Sequence, residues 1–275
     1  MLGCRRFQAA MESELIPDDV REEIMRRLAA AEAEHNVRVL LAVESGSRAW
    51  GFASPNSDYD VRFIYAHPRD WYVAVDLEEK RDVIEYKIVD EIDINGWDIR
   101  KALRLFRKSN PAFVEWLQSP ILYRSHGGFA AGAGALLPSV YSLESGIYHY
   151  RNMAKTTYRD HLQADMVRLK KYFYALRPLL CVRWLERYNT PAPIEFDKLL
   201  HLLAGEEKLL DAIALLLEKK KATPETGLSE PVPCLNRFIE SELDRLESPD
   251  VVHVQRGDVN ASLNQLFHAV LAEQP

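Results

Sequence analysis

The sequence predicts an α+β protein in two parts, a mixed β-sheet backed by helices over residues 1–138 and an all-helical part over residues 139–275. Three observations predict it. Short runs of branched apolar residues, which mark buried strands, occur only in the first half, as in Val37 to Val43. From Ser139 onward apolar residues recur at helical spacing instead. Between the two lies a Gly- and Ala-rich stretch ending at Pro138, which suits a boundary between units.

Taken in order, Ile16 to His35 reads as a helix, with Pro17 and Asp18-Asp19 in its first turn and Val20, Ile24, Leu28 and Ala31 along one face. Val37 to Val43 is a strand buried on both faces, Asp60 to Ala66 a second, and Ile88 to Ile94 a third. After Asn95-Gly96, Trp97 to Lys108 places Ile99, Leu103 and Phe106 on one side and basic residues on the other, as an amphipathic helix does. Phe113 to Leu117 is a short helix and Ile121 to Tyr123 an edge strand, before a helix within Gly127 to Pro138. Helices are then expected at Leu143 to Gln163, Asp165 to Tyr188 (broken or kinked at Pro178), Phe196 to Leu203, Glu206 to Lys219, Val232 to Leu246 and Asn260 to Ala272. Pro224 to Pro233 reads as a loop.

Composition narrows the function classes. At 275 residues and 47% hydrophobic the chain can bury a sizeable core. A formal charge of -6 and a pI near 5.8 provide no global field toward nucleic acid or anionic lipid, so any polyanion contact must be local. Cys4, Cys181 and Cys234 lie far apart with no histidine at zinc-ligand spacing, which disfavours a disulfide framework or structural zinc and fits a reducing cytoplasm. Leu2-Gly3-Cys4 superficially resembles a lipoprotein cleavage site, but no apolar segment precedes it and no later stretch approaches a membrane span, so a soluble protein is expected.

The residues that carry chemistry centre on Gly46 to Val61 (GSRAWGFASPNSDYDV). Gly46 permits close backbone approach, and Ser47 offers a hydroxyl and an N–H where phosphate binding is favoured. Asp58 and Asp60, two apart at a strand start, set two carboxylates on one face roughly 7 Å apart at the backbone. Like charges that close call for a cation, and two magnesium ions, hard and oxygen-loving, can stabilise both the attacking and the leaving oxygen of a phosphoryl displacement. Asp93, flanked by Ile92 and Ile94, is the expected third carboxylate, ligating a metal and helping to deprotonate an acceptor hydroxyl. Asp98 competes for that role, but its place after Gly96 and before an amphipathic helix suits a cap.

The order Gly46-Ser47, Asp58-Tyr59-Asp60 and a later Asp93 resembles the signature of the DNA polymerase β-like nucleotidyltransferase superfamily. More narrowly, GSRAWGFASPNSDYDVRFIY, DINGWDIRKAL, SNPAFVEWLQSP and KKYFYALRPLL resemble a bacterial predicted-nucleotidyltransferase family linked to RNA repair, over most of residues 40–190. The resemblance implies a mixed-sheet palm, two magnesium ions, an NTP donor and release of pyrophosphate. A protein or small-molecule nucleotidylating enzyme, or a non-catalytic nucleotide-binding module, is the rival expectation.

Between Ile147 and Arg187 nine Lys/Arg stand against three acids, a local +6 interleaved with Tyr148, Tyr150, Tyr158, Tyr172, Phe173 and Tyr174. Such a mixture can neutralise phosphates and stack on bases, and Lys155, Lys170 and Lys171 are the residues expected to reach a triphosphate or an RNA backbone.

Overall fold

A computed structural model describes residues 16–222, 228–247 and 257–273, so that Cys4 and the Leu2-Gly3-Cys4 stretch lie outside the described residues. Helix α1 (Asp18–His35) opens with Asp18 and Asp19 in its first turn, where their charge complements the helix N-terminus, and stops at Asn36 in the left-handed conformation. Strands β1 (Arg38–Glu44), β2 (Tyr59–Ala66), β3 (Val83–Glu85), β4 (Ile92–Asp98) and β5 (Leu122–Ser125) make one sheet in the order β3-β4-β2-β1-β5. Only β2 and β4 pair in parallel; the other neighbours are antiparallel, so the sheet is mixed as expected and β5 is an edge.

The pleat sorts β2 and β4 into two faces. Tyr59, Val61, Phe63 and Tyr65, with Ile92 and Ile94, pack beneath Ile24, Leu28 and Ala31 of α1. Ile64, Ala66 and Trp97 point to the opposite face, covered by the short α3 (Arg69–Tyr72), α4 (Ile99–Arg107), α5 (Pro111–Gln118), α6 (Phe129–Val140) and the last helix, α11 (Asn260–Ala272). Asp60, Arg62, Asp93 and Asn95 share the parity of this second face.

The third expected strand is displaced. Asn95-Gly96 is not a turn but the middle of β4, because a side chain at Gly96 would run into the Phe63 ring that crosses it. The reversal falls earlier, at Asp90 and Glu91, both with positive φ. β3 is a short antiparallel addition that sequence periodicity does not reveal.

The other helices are α7 (Leu143–His161), α8 (Lys170–Tyr188), α9 (Glu207–Ala222) and α10 (Pro233–Arg245), with a 3₁₀ segment at Asp197–Leu203. Their shared core includes Tyr150, Phe173, Leu176, Leu180, Phe196, Ile213 and Ile239. Pro178 does not break α8; it is buried inside a continuous helix. Residues 224–227 of the expected loop lie outside the described residues, and Leu228–Ser229 pair with Val167–Arg168 in a small ribbon. The final helix leaves the helical core and joins the sheet, where Arg38 donates to the carbonyls of Glu273 and Val270, each at 2.7 Å. No helix of the described residues is long and apolar enough to cross a membrane, and Cys181 and Cys234 are free thiols.

Candidate active site

The two parts of the Gly-Ser and Asp-x-Asp motif meet at one end of the sheet. Chain leaving β1 turns through Ser45, whose N–H donates to the Asp60 carbonyl at 2.8 Å, into the single helical turn α2 (Gly46–Ala49). Gly46 has a positive φ, and a Cβ built on it would fall inside the Asp60 carboxyl group. The close approach that requires glycine is therefore made by Asp60 itself. Ser47 is buried in the same turn, and its carbonyl accepts from the Phe52 N–H at 3.0 Å.

Asp60 and Asp93 are direct partners in the parallel β2–β4 register. Both carboxylates converge on one cation: Nη2 of Arg62 lies 3.0 Å from Oδ1 of Asp60 and 2.7 Å from Oδ2 of Asp93. Asn95 donates to the other oxygen of Asp93 at 2.6 Å. Asp58 precedes β2, is exposed, and is tied in through its backbone carbonyl, which accepts from Nε of Arg48 at 3.3 Å. The Arg48 guanidinium also lies 4.0 Å from the centre of the Tyr59 ring, which fixes the approach to the strand.

Beneath the turn, Glu44 is fully buried. It accepts from the Asp60 N–H at 2.9 Å and from the Tyr123 hydroxyl at 2.7 Å. Burial pushes its carboxyl up to about 7, against the pull of those two donors.

Asp98 occupies the other end of β4, level with Tyr65. It caps α4 by accepting from the Arg100 N–H at 2.8 Å and takes the Tyr72 hydroxyl at 2.6 Å. Burial pushes this carboxyl up to about 6. Of the two candidate third carboxylates, Asp93 alone stands beside Asp60.

The basic segment divides. Arg177 is buried and paired at 2.8 Å with Glu115, and Arg183 binds Glu206 and Glu242, so both are structural. Lys155 is exposed on α7, while Lys170 and Lys171 open α8. Lys171 lines a hollow of about 450 Å³ with Arg159, His161 and Arg168, and its ammonium is pushed down by partial burial and then by Lys170 and Arg168. Its Nζ lies 5.3 Å from the Tyr174 ring, which in turn meets Trp50, the residue ending α2, at 5.2 Å. That chain of contacts links Lys171 to the turn. Neither Lys155 nor Lys170 lines the hollow.

Three contributors escape motif reading. Arg62 was legible as i+2 from Asp60, hence on its face. Glu44 directly follows the apolar run Val39 to Val43, a pattern that marks a buried acid. The group of Arg177, Glu115 and Trp50, in which Trp50 Nε1 donates to Glu115 at 3.1 Å and the Arg177 guanidinium lies 4.7 Å from the Trp50 ring, joins residues too distant in sequence to be paired by spacing.

Among the described residues no group of three or more His, Cys, Asp and Glu is gathered to hold a metal ion. The donor chemistry nonetheless fits a hard divalent cation, since two carboxylates already converge on a positive charge and Asp58 lies two residues before one of them.

A model of the RNA repair pathway DNA polymerase beta family matches residues 20–269. The uncharacterized protein YcgL of Bacillus subtilis (strain 168) is 41% identical over 249 residues, covering 90% of this chain and 95% of that one. The crystal structure of a nucleotidyltransferase-like protein from Exiguobacterium sibiricum 255-15 aligns with 90% of this chain and 74% of its own at 12% identity, with a TM-score of 0.30.

Proposed function

The chain belongs to the RNA repair pathway DNA polymerase beta family, and we propose that it transfers NMP from an NTP to the terminal hydroxyl of an RNA, releasing pyrophosphate. The observation that carries this reading is the side-by-side placement of Asp60 and Asp93 on adjacent parallel strands, with the Asp60 carboxyl directly against Gly46.

Asp58, Asp60 and Asp93 would hold two magnesium ions, which when bound supply charge neutralisation for the triphosphate and acidity for the acceptor hydroxyl. The Gly46-Ser47 turn offers the triphosphate backbone N–H groups, with Lys155, Lys170 and Lys171 as cations from the helical part. Asp93 takes the proton of the acceptor hydroxyl. The acceptor oxygen then bonds to the α-phosphorus as the bond from that phosphorus to the pyrophosphate oxygen breaks. Arg62 neutralises Asp60 and Asp93 when no divalent ion is present and keeps the two carboxylates together.

The test incubates the protein with each labelled NTP, magnesium and a pool of RNA ends, reading pyrophosphate release and RNA mass. Asp60→Asn is expected to lower the rate at least about 100-fold, beyond the 10- to 100-fold typical of outer partners of a metal site. If the wild type releases no pyrophosphate with any RNA, or Asp60→Asn is as active, the reading falls.

A further inference from the structure

The amphipathic helix that the sequence singles out is not absorbed by the proposed site. α4 buries Ile99, Ala102, Leu103 and Phe106 and turns Arg100, Arg104 and Arg107 outward. At 1.5 Å rise per residue these three span about 10 Å along one side of the helix.

They line a groove of about 290 Å³ between α4 and α11, whose floor is Leu103, Leu263 and Phe267 and whose far wall carries Asn260 and Asn264. Among the described residues no carboxylate lines it. Arg100 and Arg104 continue into an adjoining hollow of about 270 Å³ that holds Trp71, Lys80 and Lys101 together with Glu78, Asp82 and Asp98. Arg100 is paired with Glu78 at 2.7 Å, and Arg107 donates to the Asn260 side chain at 2.9 Å. Arg104 makes no hydrogen bond or ion pair among the described residues, although its charge is felt at Glu78.

A row of guanidiniums in a groove differs from a cluster converging on one point. A single phosphate selects convergence, whereas a polynucleotide strand carries one charge per nucleotide in a row, so a row of guanidiniums about 10 Å long meets more than one phosphate. Guanidinium forks match phosphate oxygens, and Phe267 adds an aromatic surface to the floor of the groove. The helices that form the groove cover the same face of the sheet as Asp60 and Asp93, and Asp98 in the adjoining hollow ends β4 about 17 Å along the strand from Asp93.

We propose that the α4–α11 groove is the binding track for the RNA acceptor strand, with Arg104 and Arg107 as its principal phosphate contacts. This rests on the reading of the carboxylate site as one that acts on RNA ends, and it makes α11 a part of the RNA-binding surface.

The experiment measures anisotropy of a fluorescein-labelled 12-nucleotide single-stranded RNA with the full chain, without NTP or magnesium, from about 50 to 200 mM salt. Arg104→Ala/Arg107→Ala is expected to weaken binding at least tenfold at the lowest salt and to reduce the slope of log affinity against log salt by about 1 to 1.5. Arg104→Lys/Arg107→Lys, which keeps the charge, should retain that slope, and an unfolding midpoint in the alanine variant equal to that of the wild type separates lost phosphate contacts from misfolding. Wild-type affinity and slope in the alanine variant overturn the track, as does full displacement of the RNA by millimolar ATP or by polyglutamate of equal charge. RNA binding lost in the alanine variant, together with no pyrophosphate release by the wild type, leaves the track standing and removes the transfer reaction instead.

Discussion

Arginine meets carboxylate in two places that look alike on paper and differ in burial. Arg177 and Glu115 are 1% and 7% exposed, with Trp50, Tyr150 and the Ile194 carbonyl around them. Arg62 with Asp60 and Asp93 is 19% exposed against 28% and 20%. The first group is locked between α5 and α8 and can exchange its partners for nothing. The second faces the open end of a sheet, where water or an incoming cation can take over either carboxylate. Burial, not the identity of the pair, separates an interaction that holds the two parts of the molecule together from one that is available for chemistry.

Breaking the buried group should produce the largest effect. Glu115→Ala leaves the Arg177 charge without a partner in the interior and is expected to cost about 3–5 kcal/mol in denaturant unfolding. Because Trp50 ends α2, the same variant should also loosen the Gly46 turn, read as faster amide exchange at Ser47 and Trp50 than at Leu41. Replacing both partners by Leu and Met should restore most of the stability; if it does not, the pair contributes more than relief from an unpaired charge.

A second comparison lies on a single strand, between Asp93 and Asp98. Asp98 has a carboxyl raised from 3.8 to about 6 by burial, so its contribution to stability is fully present below pH 3.8 and is lost as pH rises through 6. Relative to Asp98→Asn, which cannot titrate, the wild type should lose about 2–3 kcal/mol across that window. Equal pH profiles for the two proteins would mean that the Tyr72 hydroxyl and the α4 amides offset the burial completely. An equivalent loss of RNA-end activity in Asp98→Asn would contradict its assignment as a cap.

This contrast also shows what was legible in the sequence. The α+β class, α1, β1, β2 and the extent of α11 follow from periodicity and caps, because each is a continuous local pattern. β4 was displaced by four residues because Asn95-Gly96 has turn chemistry, and only the Phe63 ring packed across Gly96 shows why a strand passes through it. That displacement moves Asp93 to the beginning of the strand and puts it level with Asp60, a relation set by parallel pairing between segments thirty residues apart. Likewise the nine cations of the helical segment look alike in sequence, yet Arg177 and Arg183 are held by acids that come from distant elements.

The turn itself gives a smaller effect. Gly46→Ala must hold a side chain at positive φ and displace the Asp60 carboxyl, an expected cost of about 1–2 kcal/mol. Its activity should fall more than its stability, since the displaced group is the one that would bind metal. A variant that melts early but turns over normally would show that Asp60 can relax without consequence.

The smallest effect sharpens the opening comparison most. If Arg62 stands where a divalent cation would neutralise Asp60 and Asp93, then removing it should help the ion rather than hurt it. Arg62→Gln leaves two carboxylates side by side on neighbouring strands without the guanidinium they share, and magnesium binding then relieves their repulsion as well as gaining its own ligands. For a pair this exposed the competition is worth about 1 kcal/mol, so magnesium should bind about fivefold tighter by calorimetry, with little change in unfolding. Weaker binding would show that Arg62 positions the carboxylates and does not compete for them. The same substitution at Arg177 offers no such exchange, because no cation can reach Glu115, and there the loss should appear entirely as stability.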